Sequence, residues 1–306
     1  MAADSLSLTA KPQEAPFLYR LSRRVQEWMR LMRLDKPIGI WLLLWPELWA
    51  LWIAGEGRPK PHILIIFVLG TVVMRSAGCV INDFADRNVD PFVKRTKDRP
   101  LAARRIDPRE ALVLFGVLIA IALYLALQLD RFTLELACIG AALTISYPFL
   151  KRFFPLPQFY LGLAFGWAVP MAYAAQSGSP LPRVAWVLFM TAVLWACIYD
   201  TIYAMVDRDD DVKIGVRSSA ILFADMDKLI VAIMQAMMLF ALILAGRAMK
   251  FGDWYLAGVG AATVFFLYQQ WLIRDREPAK CFRAFQNNQY VGLCIFIGVL
   301  LEYIYA

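Results

Sequence analysis

The chain has 306 residues, 60% of them hydrophobic, with a mean hydropathy of +0.54 and a net charge of +7. Soluble domains carry about 45–50% apolar residues, so the excess excludes an ordinary globular core as its only destination. The basic residues form no stripe on a soluble face, which excludes nucleic acid as a partner.

Residues 1–16 are polar, lack the apolar core of a secretory signal, and are expected to be disordered. Residues 17–34 (FLYRLSRRVQEWMRLMRL) alternate basic and apolar side chains at helical spacing, which predicts a helix lying on the cytoplasmic membrane surface. Asp4, Glu14 and Glu27 argue against a mitochondrial transit segment. Nine apolar runs follow, near 38–54, 62–81, 111–129, 132–150, 158–176, 184–205, 228–246, 254–273 and 288–305. Each is long enough to cross a hydrocarbon layer of about 30 Å. The expected fold is therefore an all-α polytopic membrane protein with about nine transmembrane helices. Residues 1–34 form a tail and amphipathic segment, and 35–306 a single transmembrane domain. The first span is the least regular, with Pro46 and Glu47 inside it. Taken alone, Asp35 before it reads as a helix cap, and Trp41 and Trp45 as interfacial anchors.

Of the 32 Lys and Arg residues, 25 fall on the N-terminal side of the membrane and six on the other, with Arg75 inside a span. The positive-inside rule makes the N-terminus cytoplasmic. An odd number of spans then puts the C-terminus outside. The five Cys residues have no paired spacing and read as packed thiols. The single histidine, His62, excludes a multi-His metal site.

Twice an apolar run ends in Asp-Arg-x-x-Asp: Asp86-Arg87-Asn88-Val89-Asp90 and Asp207-Arg208-Asp209-Asp210-Asp211. If helix continues through each, Asn82, Asp86 and Asp90 share one face, as do Tyr203, Asp207 and Asp211. Both follow even-numbered spans, so both are cytoplasmic, with Lys151-Arg152 after span four on the same side. Hard divalent cations take oxygen ligands, and Mg²⁺ is commonly held by carboxylates together with substrate phosphates. An EF-hand is excluded because loop positions six and twelve, counted from Asp207, are Val212 and Ser218. Phosphate loops of the Gly-rich kind are absent. Arg87, Lys94, Arg95, Lys97 and Arg99 flank the first cluster, and Arg208, Lys213 and Arg217 the second. Arg75 lies about 10 Å deeper than Asn82 on the same helical face. Two partners remain open for it, an anionic substrate or Glu47 of span one.

The stretches RLDKPIGIWLLLWPELWALW (33–52), AGCVINDFADRNVDPFVKRTKDRPL (77–101), YPFLKR (147–152), YDTIYAMVDRDDDVKIGVRSSAILF (199–223) and NNQYVGL (287–293) resemble the UbiA superfamily of membrane prenyltransferases. The likeness is to its 4-hydroxybenzoate polyprenyltransferase branch. It implies helices around a central cavity, two Mg²⁺ ions and a polyprenyl diphosphate, with octaprenyl the expected tail. Asn82, Asp83, Asp86, Asp90, Asp207 and Asp211 are the implied metal ligands, and Asp200 and Asp210 supporting acceptors. Lys151 falls on the diphosphate lysine, with Arg75, Arg87, Arg95, Arg152, Lys213 and Tyr203 as further substrate contacts. Asp86, Asp90, Asp207, Asp211 and Lys151 are the implied catalytic set. The implied reaction is transfer of the prenyl group to the ring carbon ortho to the 4-hydroxybenzoate hydroxyl, at a bacterial inner membrane. Arg75, Arg87 and Arg152 are candidates for the benzoate carboxylate. Two departures stand out: Ala102-Ala103-Arg104 replaces a Gly-containing turn, and Arg217-Ser218-Ser219 replaces Lys-Ser-Thr. Alternatives are another acceptor, such as homogentisate or dihydroxynaphthoate, or a transporter of divalent cations or lipid phosphates.

Overall fold

The computed structural model describes residues 17–92, 96–150, 156–178, 180–214 and 218–306, with 17–20, 148–149 and 209–214 described by backbone alone. Twelve α-helices are present among them: α1 (Phe17–Leu31), α2 (Ile38–Ala54), α3 (Pro61–Asp86), α4 (Pro108–Ala126), α5 (Arg131–Leu150), α6 (Pro157–Gly166), α7 (Ala168–Ser177), α8 (Arg183–Ile214), α9 (Ser219–Leu222), α10 (Asp227–Met249), α11 (Asp253–Ile273) and α12 (Pro278–Tyr305). No strand occurs among the described residues. All nine predicted spans fall on helix, and six helices (α3, α4, α8, α10, α11 and α12) are long and apolar enough to cross a membrane. The fifth span is divided into α6 and α7 at Trp167. Pro170 has no N–H to return to Gly166, so one rung of the α-helical ladder is missing beside Trp167.

The residues through Lys36 and Ser76–Gly116 form one compact unit, and Pro37–Arg75 with Val117–Ala306 another. In the first, α1 is fastened to the start of α4. Arg24 pairs with Glu110 and donates to the Arg105 carbonyl (2.8 Å). Trp28 Nε1 donates to Glu110 (2.5 Å), and Arg105 to Glu27 (2.8 Å). The α4 start follows from Asp107-Pro108: Asp107 accepts from the Arg109 N–H (2.8 Å) and Pro108 has no N–H to leave unsatisfied. Leu21, Val25 and Met29 recur every four residues along α1 and stay exposed, the apolar stripe expected of a surface helix.

In the second unit, α11 and α12 cross at two glycines. A Cβ on Gly258 would meet the Gly298 Cα at 2.8 Å, so only a pair without side chains permits this approach. Trp49 and Trp195 stack at 5.5 Å, and their indole N–H groups donate to the Gly292 carbonyl (3.1 Å) and Asn288 Oδ1 (3.0 Å). A buried amide chain ties α10, α11 and α12: Gln235 donates to Gln269, and Gln269 to Asn287, each at 3.1 Å. Glu302 of α12 accepts from the backbone N–H groups of Gly252 (2.5 Å) and Tyr255 (3.1 Å), satisfying donors at the α11 start. On α10, Leu229, Ile233, Met237, Phe240 and Leu244 form one exposed apolar stripe, a face suited to lipid. All five cysteines are free.

Asp130 caps α5, accepting from the Thr133 N–H (3.1 Å) and hydroxyl (2.6 Å). Burial alone would raise its carboxyl, but the Thr133 hydroxyl and the backbone N–H groups outweigh it and hold the group below the usual carboxylate range. A depressed folded pKa contributes stability above the ordinary value and loses it as pH falls through the folded one. Asp130→Ala is expected to cost about 1 kcal/mol at neutral pH, the difference closing below about pH 4 in thermal unfolding of the detergent-solubilised protein. Arg104, in the turn before α4, takes φ 54°, a left-handed conformation costing an L-residue about 1–2 kcal/mol. Arg104→Gly should raise the unfolding temperature.

Candidate active site

The first acidic motif sits at the end of α3. The helix stops at Asp86, and Asp90 opens a separate 3-10 turn, Asp90–Phe92. The expected continuous stripe of Asn82, Asp86 and Asp90 is therefore corrected to Asn82 and Asp86 alone. Neither side chain has a hydrogen bond or ion pair among the described residues, while the Asp86 carbonyl accepts from the Val89 N–H (2.8 Å). Asp83, one residue and about 100° round the helix from Asn82, points elsewhere. It is 2% exposed. Arg33 Nη2 donates to both its oxygens (2.9 Å each), and Arg99 Nη1 donates to Oδ1 (3.1 Å). Arg99 also bonds Asp90 Oδ2 at 3.0 Å, and the Thr96 hydroxyl donates to the Asp90 carbonyl (3.0 Å). Asp83, Arg33, Arg99 and Asp90 thus make one ionic chain joining the residues after α1, the α3 end and the following loop. Both Asp83 and Asp90, of the expected metal ligands, are thus buried against arginine, Asp83 against two of them. Arg87 folds back over the Phe84 ring (4.3 Å) and donates to the Phe84 carbonyl (2.6 Å).

The second motif lies on α8, which runs on to Ile214. Here the helix does continue, so Tyr203, Asp207 and Asp211 keep four-residue spacing along one helix. Asp200, two turns before Asp207, lies within electrostatic reach of it, and Tyr147 of α5 and Tyr199 of α8 lie within reach of Asp200. Arg208 is turned away, toward the fully buried Asp227 at the start of α10 (3.7 Å). Arg276 grips Asp227 more closely, with Nη2 to Oδ1 at 2.7 Å and Nε to Oδ2 at 3.0 Å. That grip raises the Arg276 pKa above its already high ordinary value. Beside these arginines a cavity of about 200 Å³ is lined by Met205, Val206, Arg208, Arg276 and Pro278. Asp211 and Lys213 are described by backbone alone, and Arg95, Lys151 and Arg152 lie outside the described residues. No three acidic, His or Cys side chains converge as a metal site among the described residues.

Deeper in the second unit, Glu47 accepts a hydrogen bond from Thr71 (2.5 Å). The open alternative of an Arg75–Glu47 pair is thereby corrected: threonine, one turn before Arg75, takes the carboxyl. Arg75 instead packs its guanidinium over Gly39 of α2 and reaches Tyr199 with its charge. Leu42, Pro46, Phe165, Ala192, Trp195 and Tyr199 line an apolar cleft between α2, α6 and α8. The sequence offered one signal for the Asp83 role, its position off the four-residue stripe. It offered none for Asp227 with Arg276, which meet only through folding.

Residues 43–299 match the model of the UbiA prenyltransferase family. The chain belongs to this family. A protein of Methylococcus capsulatus named 4-hydroxybenzoate octaprenyltransferase is 54% identical over 288 residues, covering 94% of this chain and 98% of the relative. One of the same name from Coxiella burnetii is 52% identical over 286 residues, covering 94% and 99%. Among solved structures, a UbiA homologue from Aeropyrum pernix K1 superposes with a TM-score of 0.75 at 25% identity, covering 86% of this chain and 97% of that one. A UbiA homologue from Archaeoglobus fulgidus bound to GPP and Mg²⁺ gives 0.67 at 16% identity, covering 90% and 99%. Family membership and the apolar helices make the protein an integral membrane protein.

The contrast between neighbouring acids is testable without metal. Asp83→Ala leaves Arg33 and Arg99 facing a buried gap, at a cost of about 3 kcal/mol. Asp86→Ala removes a side chain with no hydrogen bond or ion pair among the described residues and should cost less in thermal unfolding. Equal losses in the two variants would contradict the division.

Proposed function

We propose that the protein transfers an octaprenyl group from octaprenyl diphosphate to the ring carbon ortho to the hydroxyl of 4-hydroxybenzoate, a step of ubiquinone biosynthesis. The observation that carries this reading is the doubled Asp-Arg-x-x-Asp motif in a chain 52–54% identical, over nearly its whole length, to proteins named for that reaction. The membrane is the bacterial inner membrane, with the N-terminus and both motifs cytoplasmic, as the charge of the loops favours.

The donor set suits a hard divalent ion. Asn82 and Asp86 present oxygen donors with no partner among the described residues, and Asp207 lies four residues from Tyr203 on a continuous helix. In this reading Asn82, Asp86, Asp90, Asp207 and Asp211 hold Mg²⁺, and Asp83 is a positioning residue. When bound, Mg²⁺ supplies charge neutralisation for the departing diphosphate. Lys151, with Arg87, Arg95, Arg152 and Lys213, adds fixed positive charge to the same oxygens. The apolar walls keep water from the allylic carbon while the acceptor ring attacks, and its displaced proton leaves. No covalent enzyme intermediate is required, in keeping with the absence of a His-based nucleophile pair.

Purified protein with octaprenyl diphosphate, Mg²⁺ and separate acceptors (4-hydroxybenzoate, homogentisate, dihydroxynaphthoate) tests this by product mass. The expected product is octaprenylated 4-hydroxybenzoate alone, formation stopping with EDTA and falling at least about 100-fold in Asp86→Asn and Asp207→Asn. Prenylation of another acceptor with none of 4-hydroxybenzoate would overturn the acceptor assignment.

A further inference from the structure

Three of the helical stretches long and apolar enough to cross a membrane have their ends at Arg208, Ala224 and Pro278. The cavity of about 200 Å³ lined by Met205, Val206, Arg208, Arg276 and Pro278 lies at these ends. At about 100° per residue, Met205, Val206 and Arg208 flank the side of α8 opposite Asp207, so the cavity is separate from the acidic motif. Its charge is unbalanced. Asp227 is the carboxylate between the two arginines, and its oxygens are already taken. Arg276 Nε and Nη2 donate to them at 2.7–3.2 Å, and the Lys228 N–H at 2.7 Å. Arg208 Nη1 stands 3.7 Å from Asp227, beyond hydrogen-bond length. Neighbouring charges cancel: Arg274 pairs with Asp275 (3.2 Å), Lys280 with Glu277 (2.7 Å), and Asp225 and Lys228 add one of each sign. Two guanidinium groups therefore share one satisfied carboxylate. Met226 and Leu229 beside Asp227, and Phe282 one turn after Pro278, are exposed apolar side chains at the same level.

We propose that this cavity binds the phosphate of an anionic membrane phospholipid, held by Arg208 and Arg276. A basic pocket between helix ends, at the depth of the lipid headgroups, is suited to lipid phosphate. The planar guanidinium fork matches phosphate oxygens, and Arg208 has charge to spare for them. Met205, Val206 and Pro278 give the glycerol and first acyl carbons an apolar wall that a free phosphate ion has no use for. The bound lipid joins α8 to α12 one residue from Asp207, on the face turned away from the acidic motif. The site is thus independent of the prenyl donor and of the acceptor.

Native mass spectrometry of the delipidated full chain in detergent, titrated with dioleoyl phosphatidylglycerol or dioleoyl phosphatidylcholine, tests this. Wild-type protein is expected to retain phosphatidylglycerol at concentrations where phosphatidylcholine is lost. Arg208→Gln should weaken that retention by about tenfold or more, the worth of one charge-assisted contact. Arg131→Gln, which removes a cation 93% exposed on another helix, should leave it unchanged. If Arg208→Gln does not accumulate as folded protein, thermal unfolding of the wild type decides the matter. Phosphatidylglycerol should then raise the unfolding temperature more than phosphatidylcholine, and inorganic phosphate or diphosphate at equal concentration should not reproduce the rise. Undiminished retention in Arg208→Gln, equal retention of the two lipids, or equal stabilisation by them overturns the proposal. Displacement of the lipid by an equal concentration of inorganic phosphate or diphosphate assigns the cavity to a soluble anion and overturns the lipid as its occupant.

Discussion

Every charged group near hydrocarbon must find a counter-charge or a hydrogen-bonding partner, or await a ligand, and that constraint organises this protein. An uncompensated charge at the centre of a span costs about 2.5–3.5 kcal/mol even on the lenient insertion scales. Asp83 meets the requirement with Arg33 and Arg99, Asp227 with Arg276, and Glu302 with the first N–H groups of α11. These compensated groups sit where helices end, and each joins segments far apart in sequence. The ionic links therefore do in the polar margin what side-chain packing does in the apolar interior.

Within the second unit, that interior relies on close backbone approach rather than on hydrophobic collapse, since lipid is as apolar as leucine. The Gly258–Gly298 crossing brings α11 and α12 together, and the Trp49–Trp195 stack fills the space beside α12. The amide chain from Gln235 through Gln269 to Asn287 adds direction that dispersion lacks. Asn288 and Gly292, both inside the 287–293 stretch that carried part of the family likeness, are structural: they receive the two indole N–H groups.

The spans were legible because hydropathy and length act locally, and a run of apolar residues needs no distant partner to be recognised. The division at Trp167 was legible in principle from Pro170 but was overridden by the continuous apolarity of 158–176. Helix ends were less readable. Continuation of α8 beyond Asp211 and termination of α3 at Asp86 cannot be told apart from two nearly identical acidic motifs. Proline at position 91, directly after Asp90, disfavours helical backbone at that aspartate and is the local reason the first motif breaks. Ion pairs such as Asp227 with Arg276 were not legible at all, because 49 residues separate the partners and nothing local marks them.

The same constraint separates structural charges from functional ones. In the first motif, helical phase sends Asp83 toward arginines and leaves Asn82 and Asp86 on a face without side-chain partners among the described residues. In α2 and α3, Thr71 takes Glu47, and Arg75 is left in a notch that only glycine provides. Among the described residues Asp83, Asp227 and Glu302 have such partners, and the Asp86 and Arg75 side chains do not. An anionic group at the membrane edge and a cationic one about three turns deeper give opposite preferences at two depths of the same helix. The shallow position favours a cation and the deeper one an anion.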